Sequence, residues 1–326
     1  MAISITASVT SLLGATVPVF DAGVTSSMAV YWGQGANQDR LIETCKNNAF
    51  DIINIGFVNT FPDATGYPGA NFGNQCANTT YTVDGTATQL PNDCPYIEED
   101  IILCQEMYGK KILLSIGGAA PTDYYLESES EAIQFADFLW GAFGPNNDND
   151  YPRPFGSAVV DGFDFDIESS IDTTTSVDVP AAYKSQYYAD MVNHFRGACF
   201  DNSKTFYISG SPQCSFPDAH LADAVANAEF DFLFVQLYNT PACNARAELD
   251  GESDTFRNWL SEDFLQSQSA NPSVKIFMGL PASPSGAPSD PTAYLTPAEA
   301  SALLAKYSAT SSSNFGGVML WEATLD

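Results

Sequence analysis

Three carboxylates stand at alternate positions of one apolar stretch, which reads DGFDFDIE over residues 161–168. Side chains alternate between the two faces of a strand, so Asp164, Asp166 and Glu168 share one face. At a rise of about 3.3 Å per residue, neighbours in this row stand about 6.6 Å apart along the strand. Three such groups in a desolvated interior cannot all ionise at low cost, so at least one pKa should rise. A carboxyl group that stays protonated near neutral pH is what a general acid requires.

Two other roles for the carboxylate row have to be weighed. A DxDxE row could bind Ca²⁺ or Mg²⁺ through its oxygens, or it could belong to a solvated edge strand. Phe163, Phe165 and Ile167 occupy the opposite face and need a packing partner, which argues against a solvated edge. We therefore predict an acid–base role for the row and no metal. Asp161 has the opposite parity and is predicted to be structural.

Short β-rich runs alternate with helix-like stretches along the chain. The runs predicted to be strands are residues 28–33, 50–58, 111–118, 157–168, 205–211, 230–238, 274–281 and 316–321. The stretches predicted to be helices are residues 38–48, 97–108, 130–143, 181–197, 219–228, 254–267 and 297–307. Eight such units predict parallel strands joined by right-handed crossovers and fit an α/β fold, the closed (β/α)₈ TIM barrel. An open doubly wound sheet is the alternative, but no GxGxxG or GxxxxGK[ST] follows a strand.

A barrel of this kind carries its active site at the carboxyl ends of the strands. Polar and aromatic residues follow the predicted strands there, and Tyr238 and Trp321 stand out because sugar rings stack on aromatic faces. Only EATLD follows the eighth strand, so we expect the eighth helix to be missing from this chain. We divide the chain into an N-terminal segment, residues 1–26, which could be a signal peptide, and a catalytic barrel, residues 27–326.

Composition limits the partners and the compartment. Lys and Arg number 12 against 40 Asp and Glu, a formal net charge of −28, which disfavours nucleic acid and anionic lipid as partners. The N-terminal segment has no apolar run long enough for membrane insertion. Cys76 and Cys94 lie in Asn/Pro/Gly-rich loops and Asn78 begins a glycosylation sequon, so we predict disulfides and a secreted protein, extracellular or in the cell wall. The only histidines, His194 and His220, lie far apart, and we expect no zinc site and no cofactor.

The sequence resembles glycoside hydrolase family 18. DGFDFDIE matches the DxxDxDxE signature of that family, and KILLSIGG matches its SxGG motif on the third barrel strand. Further segments follow the order of hevamine-like class III chitinases: YWGQG, LLSIGG, DGFDFDIE, the PQC of SPQCSFPD, VQLYNTPAC, GLPAS and GGVMLWEAT. The resemblance runs from about residue 27 to the end and is greatest to the fungal, cell-wall-associated branch of that group.

The resemblance implies an endo-acting chitinase that cleaves β-1,4 bonds between N-acetylglucosamine units with retention, through substrate-assisted catalysis. Glu168 would be the general acid and later the base. Asp166 would orient the acetamido group that forms an oxazolinium ion, and Asp164 would share a proton with Asp166. Tyr238 would donate a hydrogen bond to the acetamido oxygen.

The resemblance also implies binding residues and crosslinks. The residues that would bind the oligosaccharide are Tyr31, Gln34, Phe57, Gly118, Gln213, Gln236, Asn239 and Trp321. The disulfide pairs would be Cys45–Cys104, Cys76–Cys94 and Cys214–Cys243, with Cys199 as the odd thiol. We expect a monomer. Relatives often have Ala-Ala-Pro-Gln-Cys where this chain has ISGSPQC, and an insert at residues 171–180 follows Glu168 closely.

Two alternatives remain open at this point. An endo-β-N-acetylglucosaminidase acting on N-glycans shares the signature, although the class III motifs argue against it. A non-catalytic chitin-binding lectin keeps the barrel but loses the catalytic glutamate, whereas Glu168, Asp166 and Tyr238 are all present here.

Overall fold

Eight parallel strands form a closed barrel. The computed structural model describes residues 20–121, 124–145, 151–168, 181–308 and 313–325. The strands of the barrel are β1 (Ser27–Trp32), β2 (Ile52–Val58), β5 (Lys111–Gly117), β6 (Gly162–Asp166), β7 (Tyr207–Gly210), β8 (Phe232–Gln236), β9 (Lys275–Pro281) and β10 (Phe315–Trp321). Each strand pairs with the barrel strand next to it in the chain, and β1 pairs with β10 to close the ring. The predicted (β/α)₈ barrel is therefore confirmed.

Helices pack around the outside of the barrel. They are α1 (Leu41–Cys45), α2 (Ile97–Glu106), α3 (Glu129–Phe143), α4 (Tyr188–His194), α5 (Ala222–Asn227), α6 (Ala245–Asp250), α7 (Phe256–Trp259) and α8 (Pro297–Ser308). Every stretch predicted to be helical overlaps one of them, and α6 was not predicted. The described residues after β10, 322–325, form no helix. Among the described helices, none is both long enough and apolar enough to cross a membrane.

The alternation of β6 divides its side chains between two environments. Phe163 and Phe165 are fully buried on the outer face of the strand, where the ring of Phe163 stacks on Phe195 with centroids 4.3 Å apart. The strand is shorter than predicted. Val160 N–H bonds to the carbonyl of Phe143 at the end of α3, and residues 157–160 therefore belong to the connection rather than to the sheet.

Aspartates connect neighbouring strands at the amino-terminal end of the barrel. Asp51, Asp161 and Asp231 each stand immediately before a strand (β2, β6 and β8). Each side chain accepts the backbone N–H of a residue in the preceding barrel strand, at 2.8–2.9 Å, from Met28, Ile112 and Ile208 respectively. Asp161 also accepts from the Gln105 amide at 2.7 Å and from Lys204 at 3.1 Å, so it is structural, as its parity predicts.

Loops around the barrel are fixed by disulfides and by a hairpin. Sulfur atoms join Cys45 to Cys104, Cys76 to Cys94, and Cys214 to Cys243, which are the pairs that the resemblance implied, and Cys199 is free. The hairpin, β3 (Thr80–Val83) and β4 (Thr86–Pro91), lies in the connection after β2. Residues 1–19 of the predicted signal segment and the insert at 171–180 lie outside the described residues. Phe20 packs on Tyr207 and Phe232, with centroids 5.7 and 6.1 Å apart.

Candidate active site

The predicted carboxylate row lies at the carboxyl end of β6 and points into the barrel. Asp164 and Asp166 belong to the strand and are 0 % and 3 % exposed. Glu168 follows the strand and is partly exposed. The phenylalanines of β6 pack outward against the helices, which leaves the interior face to the acids.

Hydroxyl groups hold Asp164. Tyr31 and Ser115 donate to its Oδ2, each at 2.6 Å, and Ser209 donates to its Oδ1, also at 2.6 Å. Ser211 lies 3.5 Å from Oδ1 and shares a short hydrogen bond with Tyr31. Burial raises the pKa of Asp164, and these hydroxyl donors partly oppose that rise. Hydroxyl hydrogens point at both oxygens of Asp164, and this arrangement argues against a divalent cation bound by the row.

Asp166 and Glu168 interact with each other and with Gln236 of β8. The Gln236 amide donates to Oδ1 of Asp166 at 2.8 Å and lies 3.3 Å from Oε1 of Glu168. Burial raises the pKa of Asp166 well above its usual range, and the charges of Glu168 and Asp164 and a hydrogen bond to Glu168 add to the rise. Burial also raises the pKa of Glu168. Within the row, the hydrogen bond of Asp166 is with Glu168, whereas hydroxyl groups hold Asp164. The expected sharing of a proton between Asp166 and Asp164 stays a prediction.

Tyr238 lies just beyond β8, beside the row. It is buried, and burial followed by the charges of Asp166 and Glu168 raises the pKa of its hydroxyl well above the usual value. A phenol that stays neutral next to two acids can donate a hydrogen bond but cannot act as a base.

Three aromatic side chains form a cluster at the same end of the barrel. Phe57 stacks on Trp321 with centroids 5.9 Å apart, and Tyr31 packs on both, at 5.9 Å from Phe57 and 5.3 Å from Trp321. Tyr31 and Phe57 are buried, whereas Trp321, the last residue of β10, is partly exposed. Trp321 can therefore offer a ring face to a ligand while the other two support it.

The two glycines that end β5 allow the close packing of this region. Gly117 and Gly118 have φ angles of +106° and +85°. A Cβ atom on Gly117 would lie 2.2 Å from the carbonyl oxygen of Asp166, and one on Gly118 would lie 2.9 Å from the ring of Phe57. Any other residue would displace the carboxylate strand or the aromatic cluster, which explains the SIGG sequence physically.

The other predicted binding residues lie at the rim of the site. Gln34 is exposed, and its amide nitrogen lies within 3.0 Å of the carbonyl oxygens of Gly33, Gly56 and Asn71, so it ties the loops after β1 and β2 together. Gln213 is partly exposed and forms a backbone bridge with Gln236. Asn239 is exposed and follows Tyr238 with a φ of +57°. Their roles in binding stay predictions, as does glycosylation of the exposed Asn78.

Several residues around the row were not given a role from the sequence. Ser209 and Ser211 alternate on β7 as the acids do on β6, and this pattern could have identified them. Asp218 accepts three backbone N–H groups in the loop after β7, and its charge contributes to the raised pKa of Glu168. Tyr124 accepts the backbone N–H of Glu168 at 2.8 Å. It lies in the segment that follows β5, and no sequence pattern in that segment identifies it.

One group of possible metal ligands lies away from the row, on the helices. Asp137, His194 and Cys199 place their ligand atoms within 4.8 Å of one another. The His194 ring nitrogen is 2.6 Å from Oδ1 of Asp137, whereas ligands of a tetrahedral zinc ion at about 2.0 Å would stand about 3.3 Å apart. Burial raises the pKa of the Cys199 thiol to about 12. This is the geometry of a direct hydrogen bond between the two side chains, and we assign no metal to it.

Comparison with known sequences supports the resemblance. The family Glycosyl hydrolases family 18 matches residues 27–294. The chain is 49 % identical over 317 residues to Endochitinase A of Aspergillus niger and 46 % identical over 330 residues to Endochitinase A1 of Aspergillus fumigatus. These matches cover 94 % and 99 % of this chain but 24 % and 38 % of those proteins. The chain thus spans well under half the length of the relatives that it matches.

Solved structures show the same barrel in proteins with different activities. A chitinase from Ipomoea carnea matches with a TM-score of 0.71 and 29 % identity, over 92 % of this chain and 96 % of that one. A xylanase and alpha-amylase inhibitor protein from Scadoxus multiflorus matches with a TM-score of 0.68 and 30 % identity, over 93 % and 95 % of the two chains. The fold alone therefore does not decide between an enzyme and an inhibitor. By its sequence match and its barrel, the chain belongs to glycosyl hydrolase family 18.

Proposed function

We propose that the protein is an endo-acting chitinase that hydrolyses the β-1,4 bonds between N-acetylglucosamine units of chitin. The observation that carries this proposal is the hydrogen-bonded link between Asp166, Glu168 and Gln236, which lies at the barrel end that also holds the aromatic cluster of Trp321. The group offers acids with raised pKa values and a ring face, which suit a neutral sugar. The endochitinase names of relatives at 46–49 % identity support the same substrate.

The proposed mechanism begins with proton transfer from Glu168 to the glycosidic oxygen. Asp164 and Asp166 lie on β6 and Glu168 follows it directly, an arrangement that suits catalysis in which the substrate supplies the nucleophile. The carbonyl oxygen of the substrate's 2-acetamido group attacks the anomeric carbon, and the bond to the leaving sugar breaks. The product of this step is an oxazolinium ion and a Glu168 carboxylate. Glu168 then takes a proton from water, whose oxygen attacks the anomeric carbon. The bond between that carbon and the acetamido oxygen breaks, which restores the acetamido group and gives overall retention.

Asp166 and Tyr238 would hold the acetamido group during this step. Asp166 accepts its N–H and stabilises the positive charge that develops on nitrogen, while the neutral Tyr238 hydroxyl donates to its oxygen. Asp164, held by hydroxyl groups, acts on Asp166 through its charge. Changing Asp166 to Asn should lower kcat by about 10²-fold, because the ring closure loses its charge stabilisation.

A chitin oligomer of six N-acetylglucosamine units tests the substrate and the endo action. Chromatography should show dimers, trimers and tetramers early in the reaction. Release of single sugars only would contradict endo action, and an intact oligomer would contradict the proposal itself. A glycoprotein with high-mannose N-glycans, treated in parallel, should stay intact; its deglycosylation would favour the N-glycan alternative.

A non-catalytic protein is the second candidate, because the same barrel occurs in an inhibitor protein. The presence of Glu168, Asp166 and Tyr238 close to one another argues against it. Binding of chitin oligomers without hydrolysis would favour it.

We also propose that the protein is secreted, to the extracellular space or the cell wall, and acts as a monomer. Three disulfides and the similarity to fungal endochitinases support secretion. A closed barrel that carries the whole carboxylate group within one chain supports the monomer.

A further inference from the structure

We propose that Tyr124 is a positioning residue for the general acid, because its hydroxyl fixes the backbone of Glu168 and thereby the direction of the carboxyl group. This inference rests on the proposed function and deepens it. Tyr124 reaches β6 from the segment that follows β5, so it connects a loop to the catalytic strand.

Glu168 lies where the sheet no longer holds the chain. The pairing of β6 with β5 ends at Asp166 opposite Gly117, and its pairing with β7 ends at Phe165 opposite Gly210. Backbone bonds beyond those pairs run from Gly118 N–H to the Asp166 carbonyl at 2.7 Å and from Ser211 N–H to the Phe165 carbonyl at 2.9 Å. The N–H of Glu168 donates to the hydroxyl of Tyr124 instead. A side chain thus continues the restraint that the sheet would supply.

Burial and two nearby carbonyl oxygens hold the Tyr124 hydroxyl in position for this bond. Its oxygen lies 3.0 Å from the carbonyl of Gly118 and 3.2 Å from that of Asp166, so its own hydrogen points towards one of them while a lone pair faces Glu168. The side chain is 3 % exposed, and its ring packs on Phe61 with centroids 5.0 Å apart. Burial raises the pKa of the hydroxyl well above its usual value and keeps it neutral.

Loss of the hydrogen bond to Tyr124 should misplace the Glu168 carboxyl group and lower kcat more than it changes KM. Misplacement of a catalytic group by about 1 Å can cost about 10²-fold in rate. It should also increase the contact of the carboxyl group with water, and the burial that now raises the pKa of Glu168 would then act less strongly. The basic limb of the kcat/KM–pH profile, which requires protonated acid in the free enzyme, should therefore move to lower pH.

The test is Tyr124→Phe, which keeps the ring and removes the hydroxyl. We expect kcat on chitin oligomers to fall about tenfold, with KM within about threefold and the basic limb at lower pH. A kcat within threefold of wild type would overturn the inference. A lower kcat with both limbs of the profile in place would also overturn it, because that result indicates a general structural defect.

Tyr188→Phe is the matched control. The Tyr188 hydroxyl is buried and has no hydrogen-bond partner among the described residues, and its ring packs on Phe61 and Phe165 in the same aromatic region. Its removal should leave kcat and the pH profile unchanged, and a loss equal to that of Tyr124→Phe would count against the positioning role.

A measurement on the unmodified protein covers the case in which Tyr124→Phe does not fold. The amide hydrogen of Glu168 should exchange with solvent at least 10²-fold more slowly than an exposed amide, and exchange at the exposed rate would overturn the inference. The failure of the proposed function is distinguishable, because it would appear as a wild-type protein that does not cleave chitin oligomers.

Discussion

The two ends of the barrel use buried carboxylates in opposite ways. At the amino-terminal end, Asp161 and Asp231 bind backbone N–H groups and also pair with Lys204 and Arg196, at 3.1 and 2.8 Å. At the carboxyl end, no ion pair of the described residues reaches Asp164, Asp166 or Glu168. Their partners are hydroxyls, an amide and one another.

The carboxylates at the two ends of β6 therefore have different roles, one in stability and the other in catalysis. Asp161 precedes β6 and connects it to β5, whereas Asp166 ends β6 with a pKa raised by burial and by neighbouring charge. Removal of a paired carboxylate destabilises the fold, because it leaves its partners without compensation. A crowded, unpaired one destabilises the ionised protein but keeps a proton available. The carboxylates of one end should therefore affect stability when changed, and those of the other end should affect rate.

The largest effect is expected for Glu168→Gln. An amide cannot protonate the glycosidic oxygen, so kcat on chitin oligomers should fall by about 10³-fold or more. Because the two side chains have the same shape, oligomer affinity measured by calorimetry should stay within about threefold. Wild-type turnover in this variant would show that Glu168 is not the general acid.

Asp161→Ala should show the reverse behaviour. It leaves the Ile112 N–H without its acceptor and removes one of the two acceptors of the Gln105 amide, so the free energy of unfolding should fall by about 2–3 kcal/mol. Denaturant unfolding measures this loss, and kcat per folded molecule should not change. A tenfold loss of kcat with unchanged stability would contradict the division between the two ends.

Asp166→Asn should stabilise the protein at neutral pH. Because the folded-state pKa of Asp166 is raised, the folded protein binds more protons than the unfolded one, and wild-type stability falls as pH rises through that pKa. Asparagine does not titrate, so the advantage of the variant should vanish below the unfolded aspartate value. Thermal unfolding across acidic and neutral pH measures it; a variant less stable at neutral pH would be inconsistent with this electrostatic account.

The smallest effect is expected for Asp51→Asn. An amide oxygen can still accept the Met28 N–H, so only the charge contribution to this bond is lost. The free energy of unfolding should fall by less than about 1 kcal/mol, with kcat unchanged. A loss as large as that of Asp161→Ala would show that the charge itself holds the strands together.

Local patterns in the sequence predicted much of this architecture. Strict alternation in DGFDFDIE predicts which side chains enter the barrel, and the eight apolar runs give its strands. The hairpin after β2 could also have been predicted, since Asp84-Gly85, both with positive φ, is a typical two-residue turn. The disulfide pairs needed the family resemblance, because spacing alone leaves many pairings open.

The contacts that tune the acids could not be predicted in the same way. The bond from Glu168 to Tyr124 depends on the path of a loop, and the orientation of Asp166 towards Glu168 depends on hydroxyls from three other strands around Asp164. Such contacts arise from the closure of the barrel and not from any local pattern.

The anomeric form of the first product tests the central claim most directly. Proton NMR at the start of chitin-oligomer hydrolysis, before mutarotation, distinguishes the two anomers at the new reducing end. Acids that lie together at the end of β6 and act with the substrate's acetamido group predict the β anomer. The α anomer would contradict this account, since inversion requires a water held by a second carboxylate on the opposite face of the sugar.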